Sequence, residues 1–203
     1  AAPTRLRCSN LMAVSLLIRL FFWLWFGAAV AAGHFLLLQR LPPLTLPAVT
    51  LALAAIPVLA YFRVGSIRAW IDAIDLRALV LLHATRFVGI YVLVLHQRGE
   101  IPRALAIPGS LGDIVVAVMA LPIALAPLTD AARSRAIVIW NVIGFVGLLL
   151  VQFSTAQIAI AAPAEVRVLT QLPLSLLPTF LFPLLLATHV VIFARTGKSA
   201  ART

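Results

Sequence analysis

Apolar residues run along this chain in long blocks broken by short polar stretches, and six blocks approach the about 20 residues that a helix needs to cross a bilayer. They lie at about 18–38, 46–61, 78–95, 104–128, 136–153 and 170–193. The first opens on an aromatic cluster, Phe21, Phe22, Trp23, Trp25 and Phe26, of the kind found at headgroup level. A cleaved signal peptide is the alternative there, because Arg5 and Arg7 precede the run and Ala29-Val30-Ala31 offers small residues at a cleavage point. The apolar run continues through Phe35 to Leu38, which favours a retained helix. Pro42, Pro43 and Pro47 predict an extended turn before the second span. Between the second and third spans, Ile67, Trp70, Ile71 and Ile74 recur at helical spacing with Arg68, Asp72 and Asp75 opposite. That pattern predicts an amphipathic helix over 66–76 lying on the membrane surface. The fourth block is longer than one crossing requires, so a partly re-entrant start at Ile107-Pro-Gly109 is a second reading of it. Pro173, Pro178 and Pro183 predict a kinked or partly unwound sixth helix. No internal repeat is apparent, and an inverted-repeat transporter finds no support.

The predicted fold is therefore all-α: a polytopic transmembrane helix bundle forming a single domain over residues 1–203. Composition agrees. The 203 residues are 63% hydrophobic and 11% charged, against about 45–50% and about 25% in soluble domains. The loops leave no room for a soluble catalytic domain, and no Gly-rich phosphate loop occurs. A net charge of +10 would point to nucleic acid in a soluble protein, but here the basic residues flank apolar blocks, which is how orientation is encoded. One side collects Arg5, Arg7, Arg19, Arg63, Arg68, Arg77, Arg133, Arg135, Arg195, Lys198 and Arg202; the other has Arg40, Arg98, Arg103 and Arg167. Both termini are thus expected in the cytoplasm, with an even number of crossings. The lone Cys8 has no partner for a disulfide, and no CxxC pair exists. All basic residues but Lys198 are Arg, beside abundant Ala and Leu, a codon-bias signature that favours a bacterial inner membrane.

Ionisable groups within spans cost about 2.5–3.5 kcal/mol each on insertion scales, so they carry the functional signal. Arg86 lies near the middle of the third span and shares a side of that helix with His83. Asp113 has two readings. If the fourth helix starts near Ala104, it is a mid-membrane counter-ion for Arg86; if the helix starts near Ser110, Ser110-Leu-Gly-Asp113 is a capping box at the interface. His83 and His189 each lie six residues inside a flanking arginine of the cytoplasmic side, which puts both at one depth, about 9 Å in at 1.5 Å per residue. Two imidazoles at one depth on different helices point to axial ligation of a haem b iron, to binding of a metal, or to proton transfer beside a quinone. His34 and His96 lie toward the opposite surface as a second such pair. The 13-residue separation of His83 and His96 resembles the spacing in four-helix b-type cytochromes and ferric reductases. Those proteins, however, carry two such pairs on two helices, and here the other histidines are on separate helices. In the fifth span Asn141 and Gly144 share a face, predicting close helix approach with an interhelical hydrogen bond, and Trp140 reads as an interface anchor.

The segments His83-Ala-Thr-Arg86-Phe-Val-Gly89, Ile107-Pro-Gly-Ser-Leu-Gly-Asp113, Trp140-Asn-Val-Ile-Gly144 and Leu177-Pro-Thr-Phe-Leu-Phe-Pro183 together resemble a group of small bacterial multi-span membrane proteins with no assigned activity. The likeness covers roughly residues 77–195 and implies a helical membrane fold without implying a chemistry. The residues themselves point to a quinone-linked electron-transfer subunit with haem b held by His83 and His189, and with Arg86 on a propionate or a quinone oxygen. Two alternatives stand beside it: a small transporter or channel built on an Arg86–Asp113 polar pair, and a scaffold subunit of a larger membrane complex. The expected partners are the lipid bilayer, a quinone and other membrane subunits, with no nucleic acid. No catalytic residue is assigned, since Ser15, Ser110 and Ser175 lack the context of an activated nucleophile.

Overall fold

A computed structural model describes residues 2–200, with side chains over 14–197; Arg5, Arg7, Cys8, Lys198 and Arg202 lie outside the residues whose side chains are described. Among the described residues the fold is all α. Eight α-helices follow in order: α1 Ala2–His34, α2 Thr45–Arg63, α3 Gly65–Asp72, α4 Leu76–Leu82, α5 Val88–Gln97, α6 Arg103–Leu125, α7 Asp130–Ala161 and α8 Phe182–Ala200. A 3₁₀ stretch, His83–Phe87, joins α4 to α5 within one crossing, and a π turn, Leu177–Leu181, leads into α8. Six segments are long and apolar enough to span a membrane: Val14–His34, Thr45–Arg63, Leu76–Gln97, Arg103–Leu125, Asp130–Ala161 and Leu177–Gly197. The chain is a multi-span membrane protein.

Several boundaries differ from the sequence pattern for local reasons. The first helix ends at His34, with Leu36 in a left-handed conformation before a 3₁₀ turn, so the apolar Phe35–Leu38 stretch is not part of it. The fourth crossing is one continuous helix from Arg103, and Ile107-Pro-Gly109 lies inside it rather than in a re-entrant turn. The short amphipathic helix α3 stops at Asp72, because Asp75 turns away to cap α4, accepting from the Arg77 amide at 2.9 Å. The fifth crossing extends to 32 residues.

The sixth crossing begins only at Leu177; the residues from 171 to 175 form turns. Pro173 therefore lies in the turns before the crossing, whereas Pro178 and Pro183 disturb the helix as anticipated, and the surrounding helices compensate. Pro183 has no N–H to give to Thr179 in α register or to Pro178 in π register. The Thr179 carbonyl instead accepts from the Trp25 indole Nε1 at 2.8 Å, and the Pro178 carbonyl from the Thr50 hydroxyl at 3.0 Å. Unwinding at membrane depth is tolerated where other donors take over in this way.

Two arginines that read from sequence as topology charges are structural as well. Arg133 is buried and its guanidinium donates to the carbonyls of Ile123, Ala124, Ala126 and Leu128, closing the C-terminal end of α6 against α7. Arg195 donates to Ile74 at 2.7 Å and Ile71 at 3.4 Å, tying α8 to the end of α3. Helix α6 lies at the centre, packed on α4, α5, the 3₁₀ stretch and α7, while α8 packs on α2, α4 and α7. Helix α1 is peripheral and touches mainly α3, the 3₁₀ turn Leu37–Arg40 and the π turn.

Candidate functional site

The third, fourth, fifth and sixth crossings each bring polar side chains to mid-bundle, near their own midpoints. In the 3₁₀ stretch, residues three apart eclipse, so His83 and Arg86 lie one above the other on the same face. Gly89, one turn on, lets this crossing press against α6. A Cβ there would lie 2.8 Å from the Ser110 carbonyl oxygen, an atom of the backbone that is not free to move. The close approach brings Arg86 to Asp113.

Arg86 Nε and Nη2 both reach Asp113 Oδ1 at 2.8 Å, and the two residues are 1% and 4% exposed. The capping-box reading of Asp113 is therefore set aside: α6 begins seven positions before Ser110, and the carboxylate is an interior counter-ion. The remaining nitrogen, Nη1, donates to the Gly144 carbonyl at 3.2 Å and to His189 Nε2 at 3.3 Å. His189 is held from its other side by Asn141, whose Oδ1 lies 2.7 Å from Nδ1 and whose Nδ2 donates to the His189 carbonyl at 3.0 Å. This reciprocal pair assigns the proton of the imidazole to Nδ1 and leaves Nε2 as the acceptor that Arg86 needs.

His83 is fully buried, with its Nε2 3.1 Å from the Thr188 hydroxyl. That hydroxyl already donates to Leu185 O at 2.8 Å, so His83 Nε2 is the donor and its Nδ1 is a buried acceptor with no hydrogen-bond partner. The two imidazoles are in contact, their centroids 4.2 Å apart and their planes tilted by 48°. Trp140 closes the group. It is 1% exposed, stands edge-on to His83 at 4.9 Å and donates from Nε1 to Val116 O at 2.9 Å, so it is an interior wall and not an interface anchor.

Sequence reasoning thus picked out His83, Arg86, Asp113, Asn141 and His189, and the structure brings all five together. It missed Thr188 and the inward place of Trp140. The common depth of His83 and His189 holds, but their geometry does not suit haem. Axial ligands must face one iron from opposite sides of a macrocycle, whereas these rings are in direct contact. Their Nε2 atoms also point to different partners, Thr188 and Arg86. Nor do the surroundings make a site for a bare ion: among the described residues no three His, Cys, Asp or Glu side chains cluster. His34 and His96 are not joined. His34 is exposed and packs edge-on to Phe35, while His96 Nδ1 is engaged by the Ile101 carbonyl at 2.8 Å.

Two cavities flank the cluster in opposite halves of the bundle. A small one of about 50 Å³ is lined by Ser110, Asp113 and Thr155 among apolar residues such as Ile101 and Leu105, toward the end where α5 meets α6. A large one of about 700 Å³ lies toward the end marked by Arg63, Arg77 and Arg195, and Thr188 is in its wall.

A sequence family described as a domain of unknown function, DUF8737, matches residues 42–196. The chain belongs to this family. The DUF8737 region contains every residue of the polar cluster and both walls of the small cavity, and leaves α1 outside. No curated protein and no solved structure matches the chain.

Proposed function

We propose that the protein is a small proton-linked transporter of the bacterial inner membrane, with Asp113 as the proton-binding group and Arg86 as the charge it controls. The observation that carries this reading is one contiguous polar cluster in mid-bundle lying between two cavities in opposite halves. Asp113 lines one of them and Thr188, bonded to His83, lines the other. Ionisable residues at this depth are costly, and in membrane proteins they mark ion and substrate paths. The excess of basic residues at the end that carries Arg63, Arg77 and Arg195 supports placing that end in the cytoplasm.

The charge arithmetic gives the coupling. As an anion, Asp113 neutralises Arg86 through Oδ1. A proton arriving from the small cavity cancels that charge and leaves a buried cation without a counter-ion, a situation worth about 3–5 kcal/mol of destabilisation. Arg86 must then meet another anion or move toward the acceptors already beside it, the Gly144 carbonyl and His189 Nε2. The 3₁₀ stretch His83–Phe87 is where that movement is absorbed, since such tightened turns within helices act as hinges. Re-forming the ion pair expels the proton. Proton occupancy of Asp113 is in this way tied to whether Arg86 is available for an anionic solute.

Proteoliposomes holding the full chain and a trapped pH dye test the reading under imposed pH and voltage gradients. With small anions such as chloride, phosphate and acetate supplied on both sides, wild-type protein should carry protons above the rate of protein-free vesicles. Asp113→Asn should lower that flux by about 100-fold or more, the scale of a positioned proton-transfer group. Equal flux in the two proteins, or no wild-type flux with gradients of either sign, would overturn it.

A further inference from the structure

The proton reading touches the large cavity only at Thr188, and most of that space has a different character. Its walls are apolar side chains of α1, α2, α3, α4 and α8, including Phe22, Ala60, Trp70 and Leu184, and among the described residues only Ser66 and Thr188 bring a hydroxyl to it. Thr188 is already bonded to His83 and Leu185. Water would find almost nothing to bind there, and the space is a groove open along one side rather than a sealed void, so a molecule can enter it from outside the bundle. The volume, about 700 Å³, is that of a small-molecule site. Its shape is long: along α8 the lining runs from Phe180 to Val191, about 16 Å at 1.5 Å per residue.

We propose that this cavity seats one hydrocarbon tail of an anionic membrane lipid, with the headgroup at the rim beside α3. Three further observations support that occupant. The slot runs inward from α3 along α8 between apolar walls, where a compact polar solute would have no partners. Helix α1 is a loosely held wall. Trp25 and Phe26 dock on Phe180, while Leu16 and Leu20 are exposed and Leu17 and Ile18 face the slot, which allows lateral entry. The rim is also cationic. Arg19 and Arg63, each next in sequence to a lining residue, Ile18 and Val64, are exposed and form no ion pair among the described residues. Each basic residue near the surface attracts anionic lipid by about 1 kcal/mol.

The full chain in nanodiscs of phosphatidylcholine, doped with phosphatidylglycerol carrying a diazirine in its tail, provides the test. Illumination and peptide mapping should show labelling at Trp70 and Leu184 that saturates near one lipid per chain. Labelling at the lipid-facing Leu150 and Phe153 of α7 should rise without saturation. Ala60→Phe and Leu184→Trp each fill the slot by a different wall and should cut the saturable labelling several-fold, leaving the α7 labelling unchanged. A zwitterionic probe with the same tail should label the slot more weakly. Labelling of the slot that never saturates in wild-type protein, or chain-to-chain crosslinks covering the face between α1 and α2, would overturn the proposal. Because proton flux is not the readout, this inference and the transport reading stand or fall separately.

Discussion

Gly144 sets how close α7 comes to the cluster. A Cβ at this position would lie 2.6 Å from His189 Cε1, 2.9 Å from its Nε2 and 3.2 Å from Arg86 Nη1. Gly144→Ala should therefore displace His189 from Asn141 and destabilise the protein by about 1–3 kcal/mol, the usual penalty for overpacking. Gly147→Ala is the control. Its Cβ would stand 3.8 Å from Arg86 Nη2, an ordinary contact, and thermal unfolding in detergent should shift little. At this scale the sequence was readable wherever a residue was out of place in hydrocarbon: His83, Arg86, Asp113, Asn141 and His189 each interrupt an apolar run. Thr188 and Trp140 were not readable, because a threonine or tryptophan in a span carries no comparable cost. Nor does equal depth along two helices specify how far apart two side chains are. That is why His83 and His189, correctly placed at one level, do not form a ligand pair.

At the scale of elements, the π turn depends on donors from elsewhere in the chain. Thr50→Ala and Trp25→Phe each remove a hydrogen bond to a carbonyl that Pro183 leaves unpaired, and each should cost about 1 kcal/mol, read as a lower unfolding midpoint. The two should be additive only if the turn keeps its form when one is lost. Six crossings and the short amphipathic helix α3 were legible from hydropathy, because both follow directly from periodicity and run length. Helix ends were less legible: Phe35–Leu38 is as apolar as the helix before it, and nothing in the run itself marks the left-handed Leu36. The prolines announced disruption in the sixth crossing, but which partners would repair it required knowing that α1 and α2 pack there.

For the whole molecule, contact between the two imidazoles leaves no place for a macrocycle, so the purified protein is expected to show no Soret band, as isolated or after dithionite. A pyridine haemochrome assay near one haem per chain would refute that. What the bundle does contain is a charged pair in mid-membrane with a cavity on either side. Replacing both partners together separates its structural from its functional role. Buried pairs exchanged for apolar residues of similar volume are often neutral in stability, whereas removing one partner alone costs about 3–5 kcal/mol. The decisive measurement is proton flux in proteoliposomes containing Arg86→Met with Asp113→Leu, alongside its unfolding midpoint. The account predicts a protein about as stable as wild type that no longer carries protons. A stable double variant with wild-type flux would contradict it.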